Sequence, residues 1–175
     1  MADTQTRSKA ADNYLSVMRR RPRYLSALGL VIVETTGMEF LLGELLGAVL
    51  RTDPAIGVAM YHAPKSNTAR LDILVAAIGN ALVDGSQAQK HLEKLVKRAR
   101  GCLNRRNEYV HGLWGLSPNR RKVLVRSPPA KPKEVKLQDL KYLARDLQAV
   151  STEAELHKLA MYEFLRRRAS QERLQ

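Results

Sequence analysis

Apolar residues recur at intervals of three and four in four long segments of this chain, and that spacing constrains the fold more than any other feature. The segments are residues 24–51, 67–83, the stretch from Ser86 to Gly112, and residues 136–168. Side chains three or four positions apart share one face of an α-helix, so each segment predicts an amphipathic helix. The apolar residues are mainly Leu, Val and Ala, and only 5% of the residues are aromatic, which favours helices over a sheet sandwich.

Local signals set the expected helix boundaries. Pro22 marks the start of the first helix, and Ser66 or Asn67 is suited to cap the second. Ser86 with Gln89 has capping-box spacing, and Gly112 is suited to end the third helix. We expect residues 55–66 to form a loop, and the Ser151-Thr152 pair to kink or interrupt the last helix. Three glycines in the first helix weaken it but would allow another helix to approach closely: Gly37, Gly43 and Gly47.

The segment 113–135 differs in character from the rest. Residues 122–126 (KVLVR) predict a short strand that pairs with residues 112–116 across a turn at 117–119. Pro128, Pro129 and Pro132 then predict a stiff linker. The predicted fold class is all-α: a four- to five-helix bundle with a small β-hairpin insertion before the last long helix. Residues 1–22 would form a basic N-terminal arm, 23–168 the helical domain and 169–175 a C-terminal tail.

The chain is strongly basic, with 30 Lys and Arg against 17 Asp and Glu and a formal net charge of +13. A polyanion is the natural partner of such a surface, and we expect it to be nucleic acid. The most apolar stretch, residues 24–50, is interrupted by Glu34, Glu39 and Glu44, so we expect no membrane span and a cytoplasmic location. The single cysteine, Cys102, excludes an internal disulfide, and no residues have zinc-ligand spacing. We therefore expect no metal and no cofactor.

The segment with the most chemical content is residues 105–114, RRNEYVHGLW. Arg106 lies on the apolar stripe of its own helix, three residues after Leu103, where an unpaired charge is costly. It must therefore be paired, or line a cleft or an interface. Asn107 and His111 are four residues apart and share a helix face.

Arg106 and His111 resemble the R-x4-6-H signature of the HEPN superfamily, which includes toxin ribonucleases and RNases associated with CRISPR systems. Asn107 occupies the place of the polar residue that commonly follows the arginine in that family. The motif itself covers residues 105–114, and the architectural resemblance covers roughly residues 24–165. The resemblance implies Arg106, Asn107 and His111 as catalytic residues and a homodimer in which two motifs meet. It also implies a role as a toxin or defence protein, with an antitoxin or another protein as a candidate partner.

The residue types themselves suit RNA cleavage by attack of the 2′-hydroxyl. One group must remove the hydroxyl proton and another must protonate the leaving 5′-oxygen, and a histidine can do either. An arginine can bind the phosphate and stabilise charge on the phosphorane, so no metal is required. Five further residues are candidate RNA contacts: Arg105, Tyr109, Arg120, Arg121 and Lys122.

Other interpretations fit the same sequence. Arg106 would have a purely structural role if it were the buried partner of Glu39 or Glu44, and His111 would then be a helix-terminal residue without chemistry. Tyr109 would be ordinary packing. The whole chain would then be a basic helical module that binds RNA or a protein partner without cutting.

Overall fold

The computed structural model describes residues 18–117, 121–127 and 129–172. Within them lie five helices and a small antiparallel sheet. In chain order the elements are α1 (Pro22–Val49), α2 (Pro54–His62), α3 (Asn67–Ala81), α4 (Gln87–Val110), β1 (Leu113–Leu116), β2 (Val123–Arg126), β3 (Lys133–Glu134) and α5 (Leu137–Glu172). The predicted fold class is confirmed: the chain is mainly helical, with a β insertion before the last long helix. Most of the predicted N-terminal arm, residues 1–17, and residues 173–175 of the predicted tail lie outside the described residues.

The predicted helix caps are present. Ser66 Oγ accepts a hydrogen bond from the Ala69 amide at the start of α3. Ser86 Oγ accepts from the Gln89 amide at the start of α4, and Gln89 Oε1 in turn accepts from the amide of Gly85. The Gln89 carboxamide thus accepts from the residue before the N-cap, Gly85. In the usual capping box it would accept from the amide of the N-cap residue itself, here Ser86.

The structure corrects two local predictions and adds one strand that was not predicted. Residues 54–62, expected mainly as a loop, form α2; Asp53 Oδ1 accepts a hydrogen bond from the Ala55 amide at its N-terminus, and Pro54 occupies the first turn. The predicted stiff linker is followed by a third strand, β3. Helix α5 continues without interruption through Ser151-Thr152, where both hydroxyls donate to the carbonyl oxygen four residues earlier, and it ends at Glu172 rather than 168.

The chain divides into two compact units, and helices α1, α4 and α5 each contribute to both. Unit 2 comprises residues 35–103 and 146–175. Its core is made of large apolar side chains with essentially no exposure, among them Met38, Leu42, Leu46, Tyr61, Leu74, Ile78, Leu95 and Leu147.

Two of the three glycines expected to permit close helix approach do so within unit 2. A Cβ built on Gly57 of α2 would lie 2.5 Å from the Cα of Gly47 and 2.6 Å from the carbonyl oxygen of Gly43. Backbone therefore packs directly on backbone where α2 crosses α1. Gly37, by contrast, faces open space.

Unit 1 comprises residues 1–34 and 104–145. Its described part contains the start of α1, the end of α4, the sheet and the start of α5. The sheet has the order β1-β2-β3, and the predicted hairpin pairs Trp114 with Val125 and Leu116 with Val123. The inner face of the sheet and the adjoining helices form the core of this unit with Leu28, Val31, Tyr109, Trp114, Val123, Val125, Val135, Leu140 and Leu143.

Helix α1 is long and apolar enough to cross a membrane by length and composition alone. One third of its most apolar window is buried within the protein, and core helices of soluble proteins can also meet these criteria. The absence of a membrane partner thus stays a prediction.

Candidate functional site

The end of helix α4 positions the three predicted site residues. The apolar stripe of α4 is buried up to Leu103, and one turn later Arg106 is only half-buried. Helix α4 ends at Val110, and the amide of His111 closes the last turn by donating to the Asn107 carbonyl at 3.0 Å. Arg106 and Asn107 therefore lie on the final helical turn, and the exposed His111 follows directly.

The guanidinium of Arg106 connects the other two residues. Its Nη1 donates to Asn107 Oδ1 at 3.1 Å and lies 3.4 Å from His111 Nε2. Arginine has donors but no acceptor, so Nε2 must be the acceptor in the second contact. A hydrogen bond between these two atoms is possible only for the tautomer that carries its proton on Nδ1. The sequence-predicted residues Arg106, Asn107 and His111 thus form one cluster.

Arg106 has no carboxylate partner among the described residues, which argues against the structural alternative. Its Nε is buried and makes no hydrogen bond within the part of the chain that the structure describes. The two glutamates considered as its partners pair elsewhere: Glu39 with Arg70 at 2.9 Å, and Glu44 with Lys158 at 2.8 Å. Both of these ion pairs lie within unit 2, and neither includes Arg106. A buried donor without a partner is rare in folded proteins, and a role in binding or catalysis is one explanation for it.

The sheet fixes the backbone on either side of His111. A Cβ on Gly112 would lie 2.3 Å from the Glu108 carbonyl oxygen and 2.3 Å from Val125 Cγ2, so only glycine fits there. Ser127 Oγ donates to the same Glu108 carbonyl at 3.4 Å, and Lys133 forms an ion pair with the Glu108 carboxylate at 3.4 Å. Strand β2 and its neighbours therefore hold the end of α4 in place.

Trp114 has a positioning role that the sequence analysis did not identify. Its ring is buried against Tyr109, with the two ring centroids 6.2 Å apart, and its Nε1 donates to the Tyr109 carbonyl oxygen at 2.8 Å. Carbonyls in the last helical turn lack partners within the helix, so this bond caps α4 next to the site. The one sequence feature that could have predicted this bond is the tryptophan itself, because the indole N–H of a buried tryptophan usually donates a hydrogen bond.

The predicted RNA-contacting residues have different environments. Arg105 and Arg121 are exposed, and Lys122 is exposed and forms an ion pair with Glu134 at 2.7 Å. Arg120 lies outside the described residues. Tyr109 is only 5% exposed, and burial raises the pKa of its hydroxyl, with neighbouring charges contributing less. Direct RNA contact by Tyr109 would require this packing to open, so we assign it to the core.

The positive charge is concentrated in the unit that contains the site. Residues 1–34 and 104–145 carry 17 of the 30 Lys and Arg but only 6 of the 17 Asp and Glu, a formal charge of +11. The remaining residues carry 13 Lys and Arg against 11 Asp and Glu, a formal charge of +2. The excess that predicts a polyanionic partner therefore belongs almost entirely to unit 1.

Within the described residues, no three His, Cys, Asp or Glu side chains are grouped so that they could hold a metal ion. Comparison of the chain with protein-family models, curated proteins and solved structures gives no match.

Proposed function

We propose that this protein is an endoribonuclease of the HEPN kind that cuts RNA without a metal ion. The observation that carries the proposal is the Arg106 guanidinium, which lies within 3.4 Å of both Asn107 Oδ1 and His111 Nε2 and has no carboxylate partner among the described residues. A cation held beside an imidazole at an exposed helix end is suited to bind a phosphodiester and move a proton.

The proposed reaction is an internal transesterification. A histidine Nε2 takes the proton from the ribose 2′-hydroxyl, and the 2′-oxygen attacks the adjacent phosphorus. The bond from phosphorus to the 5′-oxygen breaks, and a protonated imidazole gives its proton to that oxygen. The products are a 2′,3′-cyclic phosphate and a free 5′-hydroxyl, and no redox change or metal is required.

Arg106 has two tasks in this scheme. In the free protein its Nη1–H is bonded to His111 Nε2, so the lone pair needed for proton abstraction is engaged. An RNA phosphate would attract the guanidinium away from the imidazole, which releases Nε2 next to the bound substrate. The same guanidinium would then stabilise the added negative charge on the phosphorane. Asn107 Oδ1 anchors Arg106, and its Nδ2 is available to a phosphate oxygen.

A second copy of the chain would supply the second proton-transfer group. One histidine cannot easily act as base and acid in the same step, and the resemblance of residues 105–114 to the HEPN motif implies two motifs facing each other. We therefore include a homodimer in the proposal, with one His111 as base and His111 of the partner subunit as acid. A toxin or defence role in the cytoplasm is the biological setting that the resemblance implies.

The test is cleavage of end-labelled RNA in EDTA by the purified wild-type protein, His111→Ala and Arg106→Ala. Each substitution is expected to lower the cleavage rate by about 10²–10⁴-fold without loss of helical circular dichroism. His62→Ala is the matched control, because His62 is exposed and belongs to unit 2. A 2′-deoxy substitution at the cut position should block cleavage. Retention of activity in both site variants would refute the proposal.

The alternative function is a module that binds RNA without cutting it, and the +11 charge of unit 1 favours it independently of His111. Such a module would retain RNA on a gel with an affinity that falls steeply with salt, while wild type and His111→Ala alike give no product.

A further inference from the structure

A groove in unit 1 lies between the first turns of α1 and the start of α5, and the proposed nuclease chemistry does not use it. Its volume is about 750 Å³. It is lined by Pro22, Arg23, Ser26, Ala27, Leu30 and Val33 from α1 and by Leu137 and Lys141 from α5.

The groove combines an apolar floor with positive charge. Leu30 and Val33 are 47% and 66% exposed, and with Ala27 and Leu137 they form an apolar lining. Arg23 and Lys141 supply cations, and none of the lining residues is acidic. Both helices begin here, at Pro22 and Leu137. The first turn of α5 already has a carboxylate of its own, because Asp139 Oδ2 accepts a hydrogen bond from the Lys136 amide at 2.8 Å.

These features specify the chemistry of the occupant. The apolar floor favours apolar side chains on the occupant, while Arg23 and Lys141 favour acidic groups beside them. The cations that line this groove, Arg23 and Lys141, favour an acidic occupant over the basic unit 1 of a second copy. An open groove between two helices is the shape that receives an amphipathic helix.

We propose that this groove is a docking site for an acidic amphipathic helix of another protein. Apolar side chains of that helix would cover Leu30 and Val33, and its carboxylates would face Arg23 and Lys141. The proposal is independent of RNA cleavage, because no group of the Arg106–His111 cluster takes part.

The test uses a fluorescein-labelled peptide of about 20 residues with Leu at positions i, i+3, i+4 and i+7 and Glu elsewhere. Fluorescence anisotropy at physiological salt measures its binding to the full-length protein. We expect a Kd in the micromolar range, weakened about tenfold or more by Leu30→Glu and by Lys141→Glu. A scrambled peptide of the same composition, which lacks the apolar stripe, should bind at least about tenfold more weakly.

Two matched variants serve as controls. Leu25→Glu changes an exposed leucine of α1 that does not line the groove, and Lys131→Glu changes an exposed lysine of the same unit outside it. Both should leave the peptide Kd within about twofold of wild type. Absence of peptide binding overturns the proposal, and so does equal weakening by Leu25→Glu and Leu30→Glu.

Vesicles of phosphatidylglycerol distinguish a membrane from a protein helix as the occupant. If vesicles capture the protein and Leu25→Glu reduces that capture as much as Leu30→Glu does, the apolar face of α1 is a lipid-binding surface and the groove proposal is wrong. If the wild-type protein is a dimer by light scattering and Leu30→Glu makes it monomeric, a second copy occupies the groove, and the proposal is equally overturned.

Discussion

The indole Nε1 of Trp114 donates to the carbonyl oxygen of Tyr109 at 2.8 Å, and both side chains are buried in unit 1. Trp114→Phe keeps an aromatic ring but leaves this buried carbonyl without its donor. We expect the free energy of unfolding to fall by about 1–3 kcal/mol, measured by urea denaturation followed by circular dichroism. Tyr142→Phe, which alters an exposed aromatic residue of the same unit, is the control. Equal midpoints for Trp114→Phe and wild type would show that the bond contributes nothing.

The planar shape of the Arg106 guanidinium, and not only its positive charge, should determine the cleavage rate. Arg106→Lys keeps the positive charge but lacks a planar group that can contact Asn107 and His111 together. We expect single-turnover RNA cleavage to slow by about 10–100-fold. Arg145→Lys, at an exposed position of α5 in the same unit, is the matched control, and its rate should stay close to wild type. Equal rates for the two lysine variants would count against a role for the planar guanidinium of Arg106.

The backbone contact at Gly112 predicts a large penalty for the smallest side chain. Alanine there would place a methyl group 2.3 Å from both the Glu108 carbonyl oxygen and Val125 Cγ2. We expect Gly112→Ala to destabilise the fold by about 1–3 kcal/mol, measured by thermal unfolding. Gly115→Ala is the matched control, because a methyl group on that β1 glycine meets nothing within 4 Å. The prediction fails if the two variants unfold at the same temperature.

His157 should make unit 2 less stable in mild acid. Partial burial lowers the pKa of His157; Glu153 opposes this shift, and His91, whose ring lies 6.5 Å away, adds to it. The unfolded chain therefore binds a proton more readily than the folded chain. The stabilisation by neutral His157 is present above about pH 6.5 and is lost as the pH falls below that value.

Thermal unfolding between pH 7.5 and 5.5 measures this effect. The melting temperature should fall less for His157→Gln than for wild type across that interval. His62→Gln, which removes an exposed histidine, should behave like wild type. An unchanged pH dependence in His157→Gln would assign the acid sensitivity to other groups.

The uneven charge distribution predicts that RNA affinity depends on unit 1. Arg126 is an exposed residue of β2, and Lys97 is an exposed residue of α4 in unit 2. Arg126→Gln should weaken RNA binding and reduce the slope of log affinity against log salt by about one, measured by filter binding at several salt concentrations. Lys97→Gln should change neither quantity. An equal effect of both substitutions would indicate a response to net charge rather than a localised surface.

The sequence supports the prediction of the long helices and the hairpin because their signals are local. Helical spacing identified α1, α3, α4 and α5, and alternation in residues 122–126 identified β2. Helix α2 was missed although Asp53 and Pro54 are a typical helix start, because the same two residues also end the preceding segment. Strand β3 has only two residues, which is too short for any periodicity.

The sequence predicted which three residues form the candidate site, but not the contacts of the residues around them. Arg106, Asn107 and His111 are close in the chain, so one helical turn already brings them together. The partners of Glu39 and Glu44 are 31 and 114 residues away, at Arg70 and Lys158, and no local pattern specifies such pairs. The buried state of Tyr109 likewise depends on Trp114 and the sheet, which fold back onto the end of α4.

The tight backbone contact at Gly112 also bears on how distant relatives of this site are recognised. An arginine four to six residues before a histidine occurs often by chance in a chain with 30 Lys and Arg. In this chain the sheet is packed against the end of α4, so a residue with a Cβ after His111 would force the backbone or Val125 to shift. The segment R-N-x3-H-G therefore joins two constraints: the packing of the sheet favours Gly112, and the proposed chemistry requires Arg106 and His111.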